Sequence, residues 1–386
     1  MKDFLKVITK GIDEIISFEE LKSKIATGKE LRIKFGIDPT TSNLHLGHSV
    51  IINKLKTFQE MGHKIIFLIG DFTAKIGDPS GRSQTRQIMT DKQININMKT
   101  YTDYIFKIIN KEKTEIVYNS KWFKNIGIDG ILKLATKSTV AKMLTRDDFR
   151  KRYKNNISIS IIEFIYPLLQ AYDSVVLNAD IELGGKDQKF NLLLTREIQK
   201  SYGIKNVQVV ITMPLLEGIS GVRKMSKSYN NCIALNEPPK NMFGKVMSIS
   251  DSLMYKYYEL LTQNDLRIIK NMHPKYAKLA LAEEIVEKYH GKNEALKAKK
   301  EFCETFIEKK IPNNIDEYVF KSPGMKLSSI LTTSNMVISK NEARRLIKQG
   351  AVKIDSIKIE KDFWIKSKKR ILLQVGKRKF KRIILL

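Results

Sequence analysis

The chain has 386 residues, 42% of them hydrophobic, so it is long enough for two or three domains that each bury a core. No apolar run approaches the length of a membrane span, and the first residues have the pattern of neither a signal peptide nor a transit peptide, which argues against a membrane or exported protein. The two cysteines, Cys232 and Cys303, lack metal-ligand spacing. They predict a reducing compartment, and we therefore expect a cytoplasmic protein.

The charge is strongly basic and unevenly distributed. Lys+Arg number 69 against 41 Asp+Glu, a formal net charge of +28. Residues 324–386 contain 17 Lys+Arg and 4 Asp+Glu, so these 63 residues carry +13 of the +28. A genome-wide bias toward lysine would spread the charge more evenly. Because basic surface attracts phosphate backbones through counterion release, the tail predicts a nucleic-acid partner.

The first regular elements in chain order form a βαβ unit. Residues 31–35 alternate apolar and basic side chains, which is typical of a strand. A helix is predicted from about residue 44 to 61, with Ser42 or Asn43 as its N-cap, and residues 64–70 form a buried strand. The crossover between the two parallel strands is expected to be right-handed.

The same pattern returns after a helical interruption. Residues 179–183 predict a strand, 187–202 a helix and 207–212 a further strand. We therefore predict an α/β fold with a doubly wound, Rossmann-like parallel sheet over residues 1–220, with ligands at the carboxyl ends of its strands. The segment at about 85–165 is predicted to be a helical insertion that covers the site or forms a dimer face.

The remainder predicts a connection and two smaller domains. The predicted ranges are a loop and connection at 221–245, an α-helical domain at 246–310, a linker at 311–324 and a small α+β domain at 325–386. In the last of these, Ser339 and Glu342 have capping-box spacing and open a helix that exposes Arg344, Arg345 and Lys348.

The tetrapeptide His45-Leu46-Gly47-His48 lies at the predicted strand-to-helix turn. His45 and His48 are three residues apart in the first turn and point the same way, where backbone N–H groups and the helix dipole favour an anion. Gly47 has no side chain, so a flat base can lie on the backbone. A zinc site would need a third ligand, and none is evident nearby. Two surface histidines are the other alternative; the preceding strand and turn favour the phosphate site.

The segment Lys224-Met225-Ser226-Lys227-Ser228 follows the last predicted strand of the sheet. Two lysines three residues apart on a flexible loop can engage the β- and γ-phosphates of a nucleotide while charge develops on departing pyrophosphate. A solvated basic loop is the alternative reading of such a pair. The position of the loop beside the sheet favours the phosphate role.

With these motifs the chain resembles class I aminoacyl-tRNA synthetases, and specifically bacterial-type tyrosyl-tRNA synthetases. The matching blocks are residues 35–48, 70–81, 166–173, 184–188 and 224–228. The tail is similar to the S4-type RNA-binding domain that these enzymes carry. The resemblance covers essentially the whole chain. It implies ATP-dependent activation of L-tyrosine to tyrosyl-adenylate, followed by transfer to the 3′ end of tyrosine tRNA.

The resemblance also implies the roles of individual residues. Catalytic roles fall to Thr40, His45, His48, Arg82, Arg86, Lys224 and Lys227; all of them except His48 act on the β- and γ-phosphates, and His48 holds the adenosine together with Gly47 and Asp187. The ATP-binding set is Gly36, Asp38, His45, Gly47, His48, Gly185, Asp187, Met225 and Lys227. The tyrosine-binding set is Thr73, Asp78, Tyr166, Gln170, Asp173 and Gln188, and the tRNA-binding set is Arg344, Arg345 and Lys348. Taken without the resemblance, Arg82 and Arg86 are equally well read as solvated charges on a helix face.

The substrate is indicated by a polar stripe on one helix. Tyr166, Gln170 and Asp173 are spaced i, i+4 and i+7, and their polar ends favour a polar ligand over core packing. By resemblance Asp173 accepts the phenol hydroxyl of tyrosine. The family often has a tyrosine at the position of Lys34 as a second partner for that hydroxyl. Strand alternation puts Lys34 on the same face as Gly36, which leaves open whether Lys34 reaches the pocket; Glu182 lies near it by resemblance.

Three other functions fit the sequence less well. A tryptophanyl-tRNA synthetase would lack the S4-like tail, a small-molecule adenylyltransferase would not need it, and a non-catalytic RNA-binding relative would be expected to lose the histidines and lysines of the two motifs. The expected partners are tyrosine tRNA, L-tyrosine and ATP with Mg²⁺, with no protein-bound metal and no membrane. The family also predicts a homodimer through the helical insertion, around residues 120–170.

Overall fold

The chain divides into two compact units. The computed structural model describes residues 2–41, 44–80, 89–307, 315–322, 324–366, 369–376 and 379–386. The first unit comprises residues 1–292 and the second residues 293–386. Within the described ranges, no helix has both the length and the apolarity needed to cross a membrane. The finer domain boundaries given above stay predictions.

The first unit is built on a six-stranded sheet. Its strands are β1 (Glu14–Ile16), β2 (Arg32–Ile37), β3 (Lys64–Ile69), β4 (Thr114–Tyr118), β5 (Ile181–Gly185) and β6 (Val209–Met213). They lie in the order β1-β6-β5-β2-β3-β4; β2 to β6 are mutually parallel, and β1 runs antiparallel to β6. Helices cover the sheet, so its central strands are apolar along almost their whole length. The predicted doubly wound α/β fold is confirmed.

Helices fill the connections and follow the sheet. Up to β6 they are α1 (Lys2–Thr9), α2 (Phe18–Ala26), α3 (Leu46–Glu60), α4 (Asp91–Ile105), α5 (Ser120–Phe123), α6 (Gly127–Ala135), α7 (Val140–Met143), α8 (Asp147–Lys154), α9 (Ile161–Leu177) and α10 (Lys189–Ser201). After β6 come α11 (Pro239–Ser248), α12 (Asp251–Leu261), α13 (Leu266–Lys270) and α14 (Pro274–His290), all within the first unit.

The strand order creates a crevice between β2 and β5. From β2 the chain continues outward to β3 and β4, whereas from β5 it continues to β6 on the other side. Helices leaving these neighbouring strands therefore diverge at their carboxyl ends. Open α/β sheets bind their ligands at such a switch point.

Strand β4 lies inside the segment predicted to be a helical insertion. Its apolar residues Ile116 and Val117 pair with Phe67 and Leu68 of β3. Five residues between two helices gave a weak periodic signal, so the sequence analysis missed this strand. The helices α5 to α8 follow it, so the departure from the sheet begins after Tyr118 rather than at about residue 85.

The second unit is a small α+β assembly. It contains α15 (Lys292–Phe302), α16 (Leu327–Thr333) and α17 (Lys340–Lys348), and strands β7 (Glu317–Phe320), β8 (Gly324–Lys326), β9 (Val352–Ile354), β10 (Ile357–Ile359), β11 (Trp364–Lys366), β12 (Lys369–Val375) and β13 (Lys379–Leu385). Five strands form one sheet in the order β10-β9-β12-β13-β7, and β8 pairs with β11. Strands β9 and β10 form a hairpin, and Ser339 caps α17 as predicted.

The predicted linker at 311–324 contains regular structure. Strand β7 pairs in parallel with β13, and its Phe320 is buried in the core of the second unit. The turn-forming residues around this short strand dominated the sequence pattern. Residues 311–314 and Pro323 of the predicted linker lie outside the described residues.

Candidate active site

One cavity of about 530 Å³ opens at the carboxyl ends of the parallel strands. It is lined by side chains from β2, β5 and α9, by the start of α3 and by the basic loop at 224–228. These segments are far apart in the sequence, and the switch point of the sheet brings them together. The two motifs predicted to act on one nucleotide therefore share one wall of one cavity.

The first turn of α3 is fixed by its two histidines. His45 is the N-cap, and its Nδ1 accepts a hydrogen bond of 3.2 Å from the Gly47 amide. In return the His45 amide donates to Nδ1 of His48 at 3.1 Å. The N-cap predicted at Ser42 or Asn43 is wrong, because the helix begins later than expected; those two residues lie outside the described part of the chain. The histidines thus do what a capping box of smaller polar residues usually does.

Both histidines are held in the neutral form. Burial lowers the pKa of His45 to about 2 and that of His48 to about 4, and for His45 the neighbouring His48 and Lys224 lower it further. A neutral imidazole whose Nδ1 accepts a hydrogen bond carries its proton on Nε2. Each ring can therefore donate one N–H to a ligand in the cavity without bringing a charge of its own.

Gly47 lets the His45 ring and the basic loop come close to the first turn of α3. A Cβ at this position would stand 2.9 Å from Nδ1 of His45, closer than real Cβ atoms come to such an atom. The Met225 side chain of the basic loop lies on the far side, 3.7 Å from the same point. Any side chain at this position would therefore collide with the His45 ring, which makes glycine necessary here.

The basic loop is anchored to the cavity at two points. Lys224 Nζ forms an ion pair of 2.7 Å with Asp187 Oδ2, at the carboxyl end of β5. The Ser226 amide donates to Asn231 Oδ1 at 2.9 Å, and Met225 is buried. Lys227 lines the cavity and is exposed to solvent. One lysine of the loop is therefore engaged and the other faces the opening.

At the opposite end of the cavity, the Asp173 carboxylate is buried and bound by two N–H donors. Trp122 Nε1 donates to Oδ1 at 2.9 Å, and Asn119 Nδ2 lies 3.4 Å from Oδ2. Burial raises the pKa of Asp173 to about 7, while the nearby Lys34 charge and the two donors lower it. The aspartate is thus a buried acceptor that its two N–H donors hold in place.

A chain of hydrogen bonds connects Asp173 to the middle of the cavity. Asn119 Nδ2 donates to Thr73 Oγ1 at 3.0 Å, and Thr73 Oγ1 donates to Asp38 Oδ1 at 2.7 Å. The Tyr166 hydroxyl donates to the other oxygen of Asp38 at 2.8 Å. Three of these five residues, Asp38, Thr73 and Asn119, follow the carboxyl ends of β2, β3 and β4, and the other two lie in α9; the network fixes their spacing.

The floor of the cavity holds a second polar network. Gln188 Nε2 donates to Asp78 Oδ2 at 2.6 Å, and Asn191 Nδ2 donates to Gln170 Oε1 at 2.9 Å. Asn191 also contacts Gln188 Oε1 at 3.2 Å, so the two pairs are joined. Asp78 and Asp38 are the carboxylates closest to this polar middle section, which suits a cationic group of a ligand.

Lys34 does reach the cavity, which answers the question that strand alternation left open. Its side chain is completely buried and lines the cavity, paired with Glu182 at 2.8 Å.

No group of three His, Cys, Asp or Glu side chains with metal-binding geometry occurs among the residues that the structure covers.

Comparison with protein families and known proteins agrees with this geometry. Residues 26–307 match the model described as tRNA synthetases class I (W and Y), and residues 325–363 match the S4 domain. The chain is 49% identical to the tyrosine–tRNA ligase of Francisella tularensis subsp. tularensis, over 100% of this chain and 99% of the relative. It is 47% identical to the tyrosine–tRNA ligase of Oleidesulfovibrio alaskensis, again over 100% of this chain and 99% of the relative.

The chain belongs to the tyrosine–tRNA ligase family. The family recognised from the motifs is thereby confirmed. Its fold is shared with the tyrosyl-tRNA synthetase of Archaeoglobus fulgidus solved with L-tyrosine, at a TM-score of 0.64 and 23% identity over 77% of this chain and 99% of that one. The names of the relatives favour the tyrosine branch of the family over the tryptophan branch.

The structure gathers nearly all of the site residues predicted for a tyrosine–tRNA ligase. The cavity is lined by the described members of the predicted catalytic, ATP-binding and tyrosine-binding sets: Gly36, Asp38, Thr40, His45, Gly47, His48, Thr73, Asp78, Tyr166, Gln170, Asp173, Gly185, Asp187, Gln188, Lys224, Met225 and Lys227. Arg82 and Arg86 lie outside the described residues. Arg344, Arg345 and Lys348 are exposed on α17 in the second unit.

Sequence reasoning missed the two residues that hold Asp173. Asn119 directly follows β4, and Trp122 lies one turn later in α5. The rule that ligands gather at the carboxyl ends of parallel strands would have pointed to Asn119 if β4 had been recognised. Nothing in the sequence indicates that the Trp122 ring turns toward Asp173.

Proposed function

We propose that this chain activates L-tyrosine with ATP to give tyrosyl-adenylate and pyrophosphate, and then transfers tyrosine to the 3′ end of tyrosine tRNA. Its family carries the overall reaction. The cavity itself supports the proposal that the phosphates and the phenol bind at opposite ends. It has neutral histidines and loop lysines at one end and the buried Asp173 at the other. An elongated aminoacyl-adenylate has this polarity, with phosphate at one end and a phenol at the other.

The polar networks orient the amino acid. The phenol hydroxyl donates to Asp173, whose geometry is set by Trp122 and Asn119. The α-ammonium group lies among Asp78, Tyr166 and Gln170, where carboxylate and amide oxygens are available as acceptors. With both ends held, the substrate carboxylate faces the wall formed by α3 and the basic loop, so binding sets the direction of attack.

The chemical step needs no side-chain nucleophile. A tyrosine carboxylate oxygen forms a bond to the α-phosphorus of ATP while the bond from that phosphorus to the β-phosphate bridging oxygen breaks, and pyrophosphate leaves. The negative charge that develops on the leaving group is stabilised by Nε2–H donors of His45 and His48, by the helix dipole and by the loop lysines. Thr40, Arg82 and Arg86 are assigned to the same phosphates.

ATP binding exchanges the partners of the basic loop. Asp187 is assigned to the ribose hydroxyls, yet in this structure it is paired with Lys224. A ribose hydroxyl that donates to Asp187 releases the lysine, which can then move to the phosphates. Mg²⁺ accompanies ATP and adds further positive charge beside the phosphates; we assign it no protein ligand.

The basic face of α17 is assigned to tRNA. The triple replacement of Arg344, Arg345 and Lys348 by alanine is expected to weaken tRNA binding. The fall of log affinity with log salt should become less steep by up to about 3, one for each lost phosphate contact. Tyrosine-dependent ATP–pyrophosphate exchange should be unchanged, since the variant leaves the cavity intact. Filter binding at several salt concentrations measures the slope.

A matched control removes three exposed lysines of the first unit, Lys29, Lys92 and Lys99. It should leave both the tRNA affinity and the salt slope close to the wild-type values. An α17 variant that binds tRNA as tightly as this control, or that loses exchange activity, contradicts the assignment.

We also propose a homodimer through the segment around residues 120–170. This segment exposes apolar side chains that a monomer would leave in water, among them Ile128, Leu132, Val140 and Ile161. The paired replacement Ile128→Glu and Leu132→Glu should convert a dimer to a monomer in sedimentation equilibrium. Ile338→Glu, at an exposed apolar residue of the second unit, is the control that should remain dimeric. A wild-type protein that sediments as a monomer at micromolar concentration would refute the dimer.

A cytoplasmic location is proposed from the reaction together with the two cysteines, both of which are free thiols. The overall function is tested by charging assays with purified tyrosine tRNA and tryptophan tRNA. Each tRNA is offered tyrosine and tryptophan separately. Tyrosine should be attached to tyrosine tRNA, and neither tyrosine nor tryptophan to tryptophan tRNA. Attachment of tryptophan, or no charging of either tRNA, would refute the proposal.

A further inference from the structure

Lys34 is a fully buried lysine, and it is one of the residues that line the same cavity as Asp173. It comes from β2, where its strand partner in β5 is Glu182. Nζ lies 2.8 Å from Glu182 Oε1 and 2.5 Å from Ser174 Oγ. Such a charge is costly to bury unless it is paired and hydrogen-bonded, so its position is strongly determined.

The partner carboxylate is itself held in place. Glu182 is buried and accepts hydrogen bonds from Ser174 Oγ at 3.1 Å and from Gln208 Nε2. Ser174 follows Asp173 directly in α9, so one helix turn carries both the residue that contacts the lysine and the proposed phenol acceptor. The lysine is therefore fixed from β5 and α9 at the same time.

The ammonium group retains a hydrogen-bond donor for a ligand. A lysine has three N–H donors. In the described part of the chain, Nζ makes two polar contacts, those with Glu182 and Ser174. Lys34 also lines the cavity together with Asp173, and its charge is close enough to act on that carboxyl.

We infer that Lys34 donates a hydrogen bond to the phenol oxygen of the substrate while the phenol hydroxyl donates to Asp173. This inference rests on the proposed tyrosine activation. It makes Lys34 a specificity residue that touches the substrate. The Glu182 charge offsets the Lys34 charge, and the phenol is bound by one cationic donor and one anionic acceptor, both buried.

The arrangement gives a strong discrimination against phenylalanine. Tyrosine satisfies both groups with one oxygen, whereas phenylalanine leaves a charged donor and a charged acceptor facing a hydrocarbon ring. A buried polar group without a partner is costly, and more so when it is charged. With phenylalanine, a pocket with Asp173 alone would lose one hydrogen bond to a charged group, whereas this pocket would lose two.

The decisive experiment measures ATP–pyrophosphate exchange for the double variant Lys34→Met, Glu182→Gln. It removes both charges of the Lys34–Glu182 pair together, so neither is left buried without the other, and its thermal melting curve checks that it folds. We expect kcat/KM for tyrosine to fall about 10- to 150-fold, the range for losing a hydrogen bond to a charged group. The loss should appear mainly in KM for tyrosine, because the phenol is remote from the reacting carboxylate. The ratio of tyrosine to phenylalanine activity should fall at least about tenfold.

A second substrate isolates the donor role. 4-Aminophenylalanine can donate an N–H to Asp173, but its aniline nitrogen is a poor acceptor for Lys34. The wild-type enzyme should therefore prefer tyrosine over it strongly, and the double variant should lose most of that preference. A merely structural role for Lys34 would lower activity with tyrosine, phenylalanine and the aniline analogue alike.

Lys54→Met provides a matched control. Lys54 is also buried, but its ammonium donates to the carbonyls of Ile8 and Lys10, and it does not line the cavity. This variant should keep the wild-type ratio of tyrosine to phenylalanine whatever its stability. If the wild type activates tyrosine and the double variant keeps both substrate ratios, the Lys34 assignment is wrong. If the wild type does not activate tyrosine, the proposed function itself fails.

Discussion

Alanine at Lys224 or at Lys227 is expected to lower kcat for tyrosine activation by about 10²-fold, the typical cost of removing one preorganised group that stabilises transition-state charge. KM for tyrosine should change little, because both lysines line the phosphate end of the cavity, away from Asp173. Stopped-flow measurement of adenylate formation gives the two constants separately. The effect should appear in kcat because the additional negative charge on the leaving pyrophosphate develops only in the transition state.

Arg223→Ala is the matched control for the loop lysines. Arg223 is the neighbouring cation, exposed and stacked on the Tyr229 ring, and it does not line the cavity. This variant should keep kcat within a few-fold of wild type. The phosphate role of the loop is wrong if Arg223→Ala is as slow as the lysine variants, or if the lysine variants lose tyrosine affinity instead of rate.

Replacing Asp173 by asparagine is expected to lower kcat/KM for tyrosine by about 10- to 150-fold, because a charged acceptor of the phenol hydroxyl is lost. Activity with phenylalanine should rise or stay the same, so discrimination between tyrosine and phenylalanine collapses.

The pH dependence of KM for tyrosine provides a second readout. The pKa of Asp173 is raised to about 7, so protonation below that pH replaces the charged acceptor by a weaker neutral one, and KM for tyrosine should rise as pH falls through 7. The asparagine variant should lack this rise.

The control for Asp173 is a buried carboxylate outside the site. Glu163 is buried and paired with Arg152 in the helical segment before the substrate stripe. Glu163→Gln is expected to lower the melting temperature without changing the ratio of tyrosine to phenylalanine activity. A pH profile that is unchanged in Asp173→Asn would show that another group titrates.

The sequence predicted most of the sheet because its signals are local. The strand around Ile33, the following helix and the strand around Ile65 each have the hydrophobic pattern of their class, and their short connections force a βαβ unit. The two motifs could then be placed at strand ends, where the switch point gathers them. The polar stripe of α9 was likewise visible in its spacing alone.

The parts that escaped prediction depend on contacts distant in sequence. Trp122 and Asn119 bind Asp173 from about 50 residues away, and only the packing of α5 against α9 brings them there. The direction of Lys34 could not be settled by strand alternation, because both faces of a central parallel strand are buried and one of them ends in the cavity. His45 replaced the expected cap because its ring reaches the Gly47 amide, a role that smaller polar residues usually fill.

The measurement that tests the account most directly is ATP–pyrophosphate exchange with the intact chain against each of the twenty amino acids. We predict exchange with L-tyrosine, and with phenylalanine and tryptophan only at a small fraction of the tyrosine rate. Exchange that depends equally on several amino acids would contradict the reading of Asp173 and its neighbours. Exchange with none of them would contradict the assignment of the cavity to amino-acid activation.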